Sequence, residues 1–194
     1  MRINNLLFFL FFISTLQAKQ IEVCESCTIK SIKDAVGIAK NGDEILIKAG
    51  LYKEHDIIVN KAVALIGEKG VIIDGEGLGG IFTFESDNFR IKNIKIINVG
   101  SSYTVDYAAI KVVKAQNFII ENCTFENNVA GHLGGALAVD NYWYLDIATI
   151  NVRNSSFINN SILAPEGSPE GSKGGGIGFK DGVNAIIINS LFEN

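Results

Sequence analysis

The side chains able to do chemistry are few and widely spread. Two cysteines form a C-x-x-C pair, Cys24-Glu25-Ser26-Cys27, and a third stands alone at Cys123. In an exported chain such a pair closes as a local or redox-labile disulfide. Kept reduced, its two thiolates would instead suit a soft cation, and Cu(I) is the one that prefers sulfur. His55 and His132 share no ligand spacing, and each reads as a turn residue. The nearest approach to an acid and base cluster is Asp140, Asp146 and Arg153. General acid–base work needs two groups held within reach of one substrate atom. The expectation is therefore a chain without catalysis. Tyr142, Trp143 and Tyr144 gather aromatic surface that would suit a sugar ring or a protein partner if exposed.

The elements that must position these residues are legible as a repeat. Four segments align without a gap around Asn93 and Asn98, Asn122 and Asn127, Asn154 and Asn159, and Asn189 and Asn194. Two residues before the first Asn of each stand Ile91, Ile120, Val152 and Ile187; three after it stand Ile96, Phe125, Phe157 and Phe192. The first Asn residues are 29, 32 and 35 positions apart, a length that fits one coil of a solenoid. Alternation of period two marks strands with one buried face. The alternation slips phase at each first Asn, which demands a bend there, and Asn tolerates left-handed backbone better than other non-Gly residues. Stacked coils would align Asn93, Asn122, Asn154 and Asn189 as a ladder of side-chain amides bonded from coil to coil. Cys123 takes the inward slot of Ile94, Ser155 and Ser190 and is expected in the core.

The fold expected is all-β, a right-handed parallel β-helix with an N-terminal capping helix. The helix is predicted over 31–40, SIKDAVGIAK. Ile32, Ala35, Val36 and Ala39 fall on one face, Ser31 and Asp34 form a capping box, and Gly42 ends it. Short strands follow at 44–48, 56–59, 63–67, 71–75 and 81–85. Residues 1–18 read as a signal peptide: Arg2, an apolar run from Leu6 to Ile13, then Leu16-Gln17-Ala18. The run is too short to span a bilayer. Cleavage removes Arg2 and takes the formal charge from −4 to −5 (16 basic against 21 acidic residues), which argues against nucleic acid as a partner. The division expected is 1–18 signal peptide, 19–43 N-terminal segment with the helix, and 44–194 β-helix cut within a coil. Both prolines fall in 164–173, APEGSPEGSK, a loop leaving one coil.

From Val23 to about Asn127 the chain resembles the NosD family, periplasmic maturation factors of nitrous oxide reductase. The carrying segments are 31–77, with its A-G-x-Y step at Ala49 to Tyr52 and its IDGEG turn, and 89–112, where Gly100-Ser101-Ser102 leads through Asp106 to Ala109 and Ile110. That resemblance implies a periplasmic, non-enzymatic β-helix docked on a membrane ABC transporter, assisting assembly of a copper centre in the reductase. The Cys24 to Cys27 pair also looks like the N-terminus of some members, which keeps copper there as the alternative to a disulfide. Ser102, Tyr103, Asp106, Tyr142, Trp143 and Tyr144 are the candidate partner-binding residues. The second half departs from the pattern: FENN (125–128) precedes GGAL (134–137), and FINN (157–160) precedes GGGI (174–177). These resemble the repeats of polymorphic outer-membrane proteins and adhesins, implying a surface or secreted scaffold. A carbohydrate-binding or carbohydrate-active β-helix is the third expectation.

Overall fold

A computed structural model describes residues 18–100, 107–113, 115–141, 147–163 and 175–194. From Glu44 onward the chain winds through three main sheets in rotation. The first sheet holds Gln20–Val23, Glu44–Ile47, Ala64–Gly67, Arg90–Lys92, Phe118–Glu121, Ala148–Arg153 and Val183–Ile188. The second holds Gly50–Lys53, Val71–Asp74, Lys95–Ile97, Thr124–Glu126, Ser156–Ile158 and Leu191–Glu193. The third holds Ile57–Val59, Phe82–Phe84, Ile110–Val113, Leu137–Asp140 and Ile177–Lys180. Each strand pairs in parallel with the strand one coil away, so the fold is the parallel β-helix expected.

Register follows the repeat. Ile91, Ile120, Val152 and Ile187 stack in one column, and Ile96, Phe125, Phe157 and Phe192 in another. The predicted slip in phase is a left-handed residue: φ is 58° at Asn93, 53° at Asn122, 50° at Asn154 and 49° at Asn189. Asn98, Asn127 and Asn159 do the same on leaving the second sheet, and Asn88, Asn117 and Asp181 where the third sheet turns back to the first. Inside, Phe84, Phe89 and Phe118 form one stack, with ring centroids 3.7 and 4.7 Å apart. Phe125, Phe157 and Phe192 form another, at 5.0 and 4.7 Å. Phe192 is 50% exposed; burying each of the other rings contributes about 1.5–3 kcal/mol, so these stacks favour one register over a slipped one.

The helix covers the first coil but is shorter than predicted, Ile32–Ile38. Ser31 Oγ accepts the Asp34 N–H at 3.0 Å, and Ile32, Ala35, Val36 and Ala39 are buried as expected. It ends at Ala39, and Gly42 at φ 90° serves the turn beyond it. Two distant residues complete its ends. Glu54 accepts the N–H groups of Ile32 and Lys33 at 2.7 and 2.9 Å, while Lys61 Nζ donates to the carbonyls of Val36 and Gly37. These satisfy the backbone groups a helix leaves open at each end. The strand Gln20–Val23 was not anticipated; it extends the first sheet by pairing with Glu44–Ile47. Asp43 fastens it, accepting N–H groups from Lys19 and Lys40, both at 2.9 Å.

A candidate interaction surface at one corner of the helix

The three corners of the coil differ. Between the first and second sheets the connections stay tight: 48–49, 68–70, 93–94, 122–123, 154–155 and 189–190. Between the second and third they lengthen along the stack, from 54–56 and 75–81 to 98–109, 127–136 and 159–176. Excursions from a solenoid collect on the face that meets partners. This corner is therefore the candidate site.

Its foundation is a polar ladder six residues beyond the Asn122 and Asn154 of the expected one, on the far side of the second sheet. Asn93, Asn122, Asn154 and Asn189 lie half-buried or exposed on the outside of their bend, so they set backbone conformation; Asn122 Nδ2 also donates to Asn93 Oδ1 at 3.3 Å. The buried ladder is Asn128 and Asn160, at 0% and 3% exposure. Asn160 Oδ1 accepts Asn128 Nδ2 at 3.0 Å and the Asn128 backbone N–H at 3.1 Å. Asn128 Oδ1 in turn accepts the Val99 N–H at 3.2 Å. Each amide also donates to a carbonyl, Asn128 to Ile96 at 3.2 Å and Asn160 to Phe125 at 2.9 Å. Thus the long connections are tied to the core where they begin. The signal was present in the doubled Asn of FENN and FINN.

Backbone packing ties them where they end. Gly134 has φ 51°, and a Cβ on Gly135 would fall 2.6–2.7 Å from the carbonyl oxygens of Ser161, Asn128 and Gly175. Gly135 N–H donates to Gly175 O at 2.7 Å, and Ala109 N–H to Gly135 O at 3.1 Å. The G-G-A-L and G-G-G-I motifs are thus what lets three connections run in contact. Val129–Ala130 and Ser161–Ile162 add a two-stranded ribbon.

Leu133 then folds back over the outer face of the third sheet, where it is buried with Ala108 and Ala138. A Cβ on Gly178 would lie 2.6 Å from Leu133 Cδ1, so that sheet is small-residued beneath it. The result is a rigid ledge carrying a half-buried His132. Further toward the N-terminus the same corner carries His55, whose Nδ1 lies 2.8 Å from Asp56 Oδ2, and an exposed Leu78. On the flanking sheet faces, Lys92 pairs with Glu121 at 3.2 Å and Lys95 with Glu126, each across one coil. Exposed pairs of this kind contribute about 0–1 kcal/mol and help hold register.

The predicted site residues fare differently. Cys24 and Cys27 are joined in a disulfide, both half-buried. In that state neither sulfur is a thiolate, so the pair does not fit Cu(I). Among the described residues no group of three or more His, Cys, Asp and Glu gathers to hold a metal. Cys123 is in the core as expected, 1% exposed, and burial pushes its thiol up to about 12. Its N–H donates to Ser155 Oγ at 3.2 Å, and the Ser155 N–H to Ser190 Oγ at 3.3 Å, a second ladder at the tight corner. Ser102, Tyr103, Asp106, Tyr142, Trp143 and Tyr144 lie outside the described residues, as does Asp146. Asp140 and Arg153 end strands of different sheets. Among the described residues no helix is long and apolar enough to cross a membrane.

Residues 122–140 match the Chlamydia polymorphic membrane protein repeat. They run from the bend at Asn122 through Asn128 and the ledge to the end of Leu137–Asp140. No curated protein matches the chain. Among solved structures, the pectin methylesterase from Aspergillus niger in a penultimately deglycosylated form is 13% identical, with 93% of this chain and 86% of that chain covered and a TM-score of 0.41. Its deglycosylated form is 12% identical at the same coverage, with a TM-score of 0.39. The resemblance to NosD gains no support from these matches.

Proposed function

We propose that this chain is a β-helical module of an exported protein, exposed on a surface or secreted, that works by adhesion or scaffolding without catalysis. The observation that carries the reading is the coil at 122–140. It matches a repeat of polymorphic membrane proteins, and its pattern recurs in the next coil at Asn154, Phe157, Asn159, Asn160, Gly175 and Ile177. Phe125 fills the core, Asn128 bonds its neighbours above and below, and Gly135 permits backbone contact. A repeat spent on stacking specifies a support and leaves outward positions and corner connections free to vary. Such a support offers a partner a surface ordered in advance, which lowers the entropic cost of binding.

Antibody labelling of intact, unpermeabilised producing cells, together with their medium, tests the placement. Signal at the surface or in the medium is expected; a chain found only after permeabilisation would overturn it. Purified chain fixed to a support should also retain cells or matrix components, and should lose that capacity when Asn128→Ala or Gly135→Ala loosens the ledge. Retention undiminished by both changes would remove the corner from the proposal.

A further inference from the structure

Three N-x-S/T triplets occur in the described chain: Asn122-Cys123-Thr124, Asn154-Ser155-Ser156 and Asn159-Asn160-Ser161. In each the middle residue points inward, with Cys123 and Ser155 at 1% exposure and Asn160 at 3%. The Asn and the hydroxyl residue that flank it stay on the outer surface, with all three Asn exposed. Each Asn also has left-handed backbone, φ 53°, 50° and 50°, at the apex of an outward bend. Two independent observations therefore coincide: the acceptor triplet, and a fold that turns its two recognition residues outward and buries the third.

We propose that Asn122, Asn154 and Asn159 are acceptor sites for N-linked glycans. The proposal rests on the export reading, since transfer takes place in a secretory compartment. In the transfer, the side-chain amide nitrogen attacks the anomeric carbon of an oligosaccharide carried on a polyprenyl diphosphate. The N–C bond forms, the anomeric C–O bond to the diphosphate breaks, the amide proton passes to a base, and polyprenyl diphosphate leaves. Asn98 and Asn127 are also exposed and left-handed but have Gly100 and Val129 two residues on, so they stay bare. Glycans at the three sites would stand before Thr124–Glu126 and at both ends of Ser156–Ile158. They would cover the outer face of the second sheet and leave the ledge over the third sheet open to partners.

The test is secretion of the full chain from a eukaryotic cell in two arms, one with its own first 18 residues and one with an established cleavable leader in their place. Intact mass and gel mobility are read before and after peptide-N-glycosidase, which converts each released Asn to Asp. Thr124→Ala, Ser156→Ala and Ser161→Ala remove the triplets while keeping each Asn and its backbone role. Sugar-bearing forms that collapse to one mass, with Asp at 122, 154 and 159 and one form lost per variant, are expected. A chain of bare mass exported in both arms would overturn the proposal, as would sugar at Asn98 or Asn127. Glycans in the second arm with no export in the first would leave the acceptor sites standing and remove the export reading.

Discussion

Asn128→Ala is the change that best separates a buried amide ladder from an Asn-rich surface. It removes Oδ1, the acceptor for the Val99 N–H at 3.2 Å, and Nδ2, the donor to Ile96 O at 3.2 Å and to Asn160 Oδ1 at 3.0 Å. Asn160 Oδ1 keeps the backbone N–H of residue 128, so it is not orphaned. Val99 N–H is left without its acceptor in a place no water reaches, because Asn128 is 0% and Val99 4% exposed, while Ile96 O stays in the parallel ladder with Thr124–Glu126. One buried donor left unpaired costs about 1–3 kcal/mol and the lost amide bond to Asn160 about 1 kcal/mol, together about 3 kcal/mol. Asn122→Ala, on the outside of the tight corner at φ 53°, loses chiefly the tolerance for left-handed backbone, about 1–2 kcal/mol. Urea unfolding followed by circular dichroism, with midpoints compared at unchanged slope, measures both. Asn128→Ala should lower stability by about twice as much as Asn122→Ala. Equal shifts would refute the reasoning, since the ladder would then contribute no more than a favoured turn residue.

Gly135→Ala should destabilise by about 3 kcal/mol or more, because the three atoms its Cβ would meet are backbone oxygens that cannot swing aside. Gly37→Ala, in the helix with nothing within 4 Å of the added Cβ, should stabilise by about 1 kcal/mol. Thermal melts of the two variants should move in opposite directions. The backbone N–H groups of Lys19 and Lys40 hold the Asp43 carboxyl below its usual range, so its stabilising contribution is full above the unfolded value near 3.8. That contribution is lost as pH falls through the lower folded value; Asp43→Asn should flatten the acid limb of a melting-temperature profile, and a parallel profile would count against it. Cys123, its thiol raised to about 12 by burial, should resist iodoacetamide at pH 8 in the folded chain and react once unfolded. Labelling of native Cys123 at the rate of a free thiol would place it outside the core.

The bends and the core columns could be read from sequence because local backbone preference and period-two burial both write themselves into neighbouring residues. The Asn93, Asn122, Asn154 and Asn189 series marked the bends for that reason. Which Asn of each doubled pair is buried could not be read the same way. Asn127 and Asn128 are chemically identical neighbours, and the left-handed turn at Asn127 decides that the next side chain points in. The caps on the helix were equally hidden, because Glu54 and Lys61 reach it only once a full coil has closed. Leu133 was unreadable for another reason. It belongs to no strand, and its burial depends on small residues, Ala108, Ala138 and Gly178, that meet only across three coils. The disulfide belonged to the local class, and Cys24 and Cys27 lie close enough along the chain for it to be expected.

The strictly parallel stacking has a mechanical consequence. Each coil is bonded to the coils before and after it and to little else, so a pull along the axis loads one interface at a time. A coil of 29–35 residues released in this way lengthens the chain by roughly 100 Å, at about 3.4 Å per residue, while giving up only the spacing of one layer. Under tension such a molecule would pay out in steps, dissipating work at every release, instead of parting at a single threshold. The Phe125–Phe157 stack and the Asn128–Asn160 bond both bridge the same pair of coils, which makes that interface the one to hold longest.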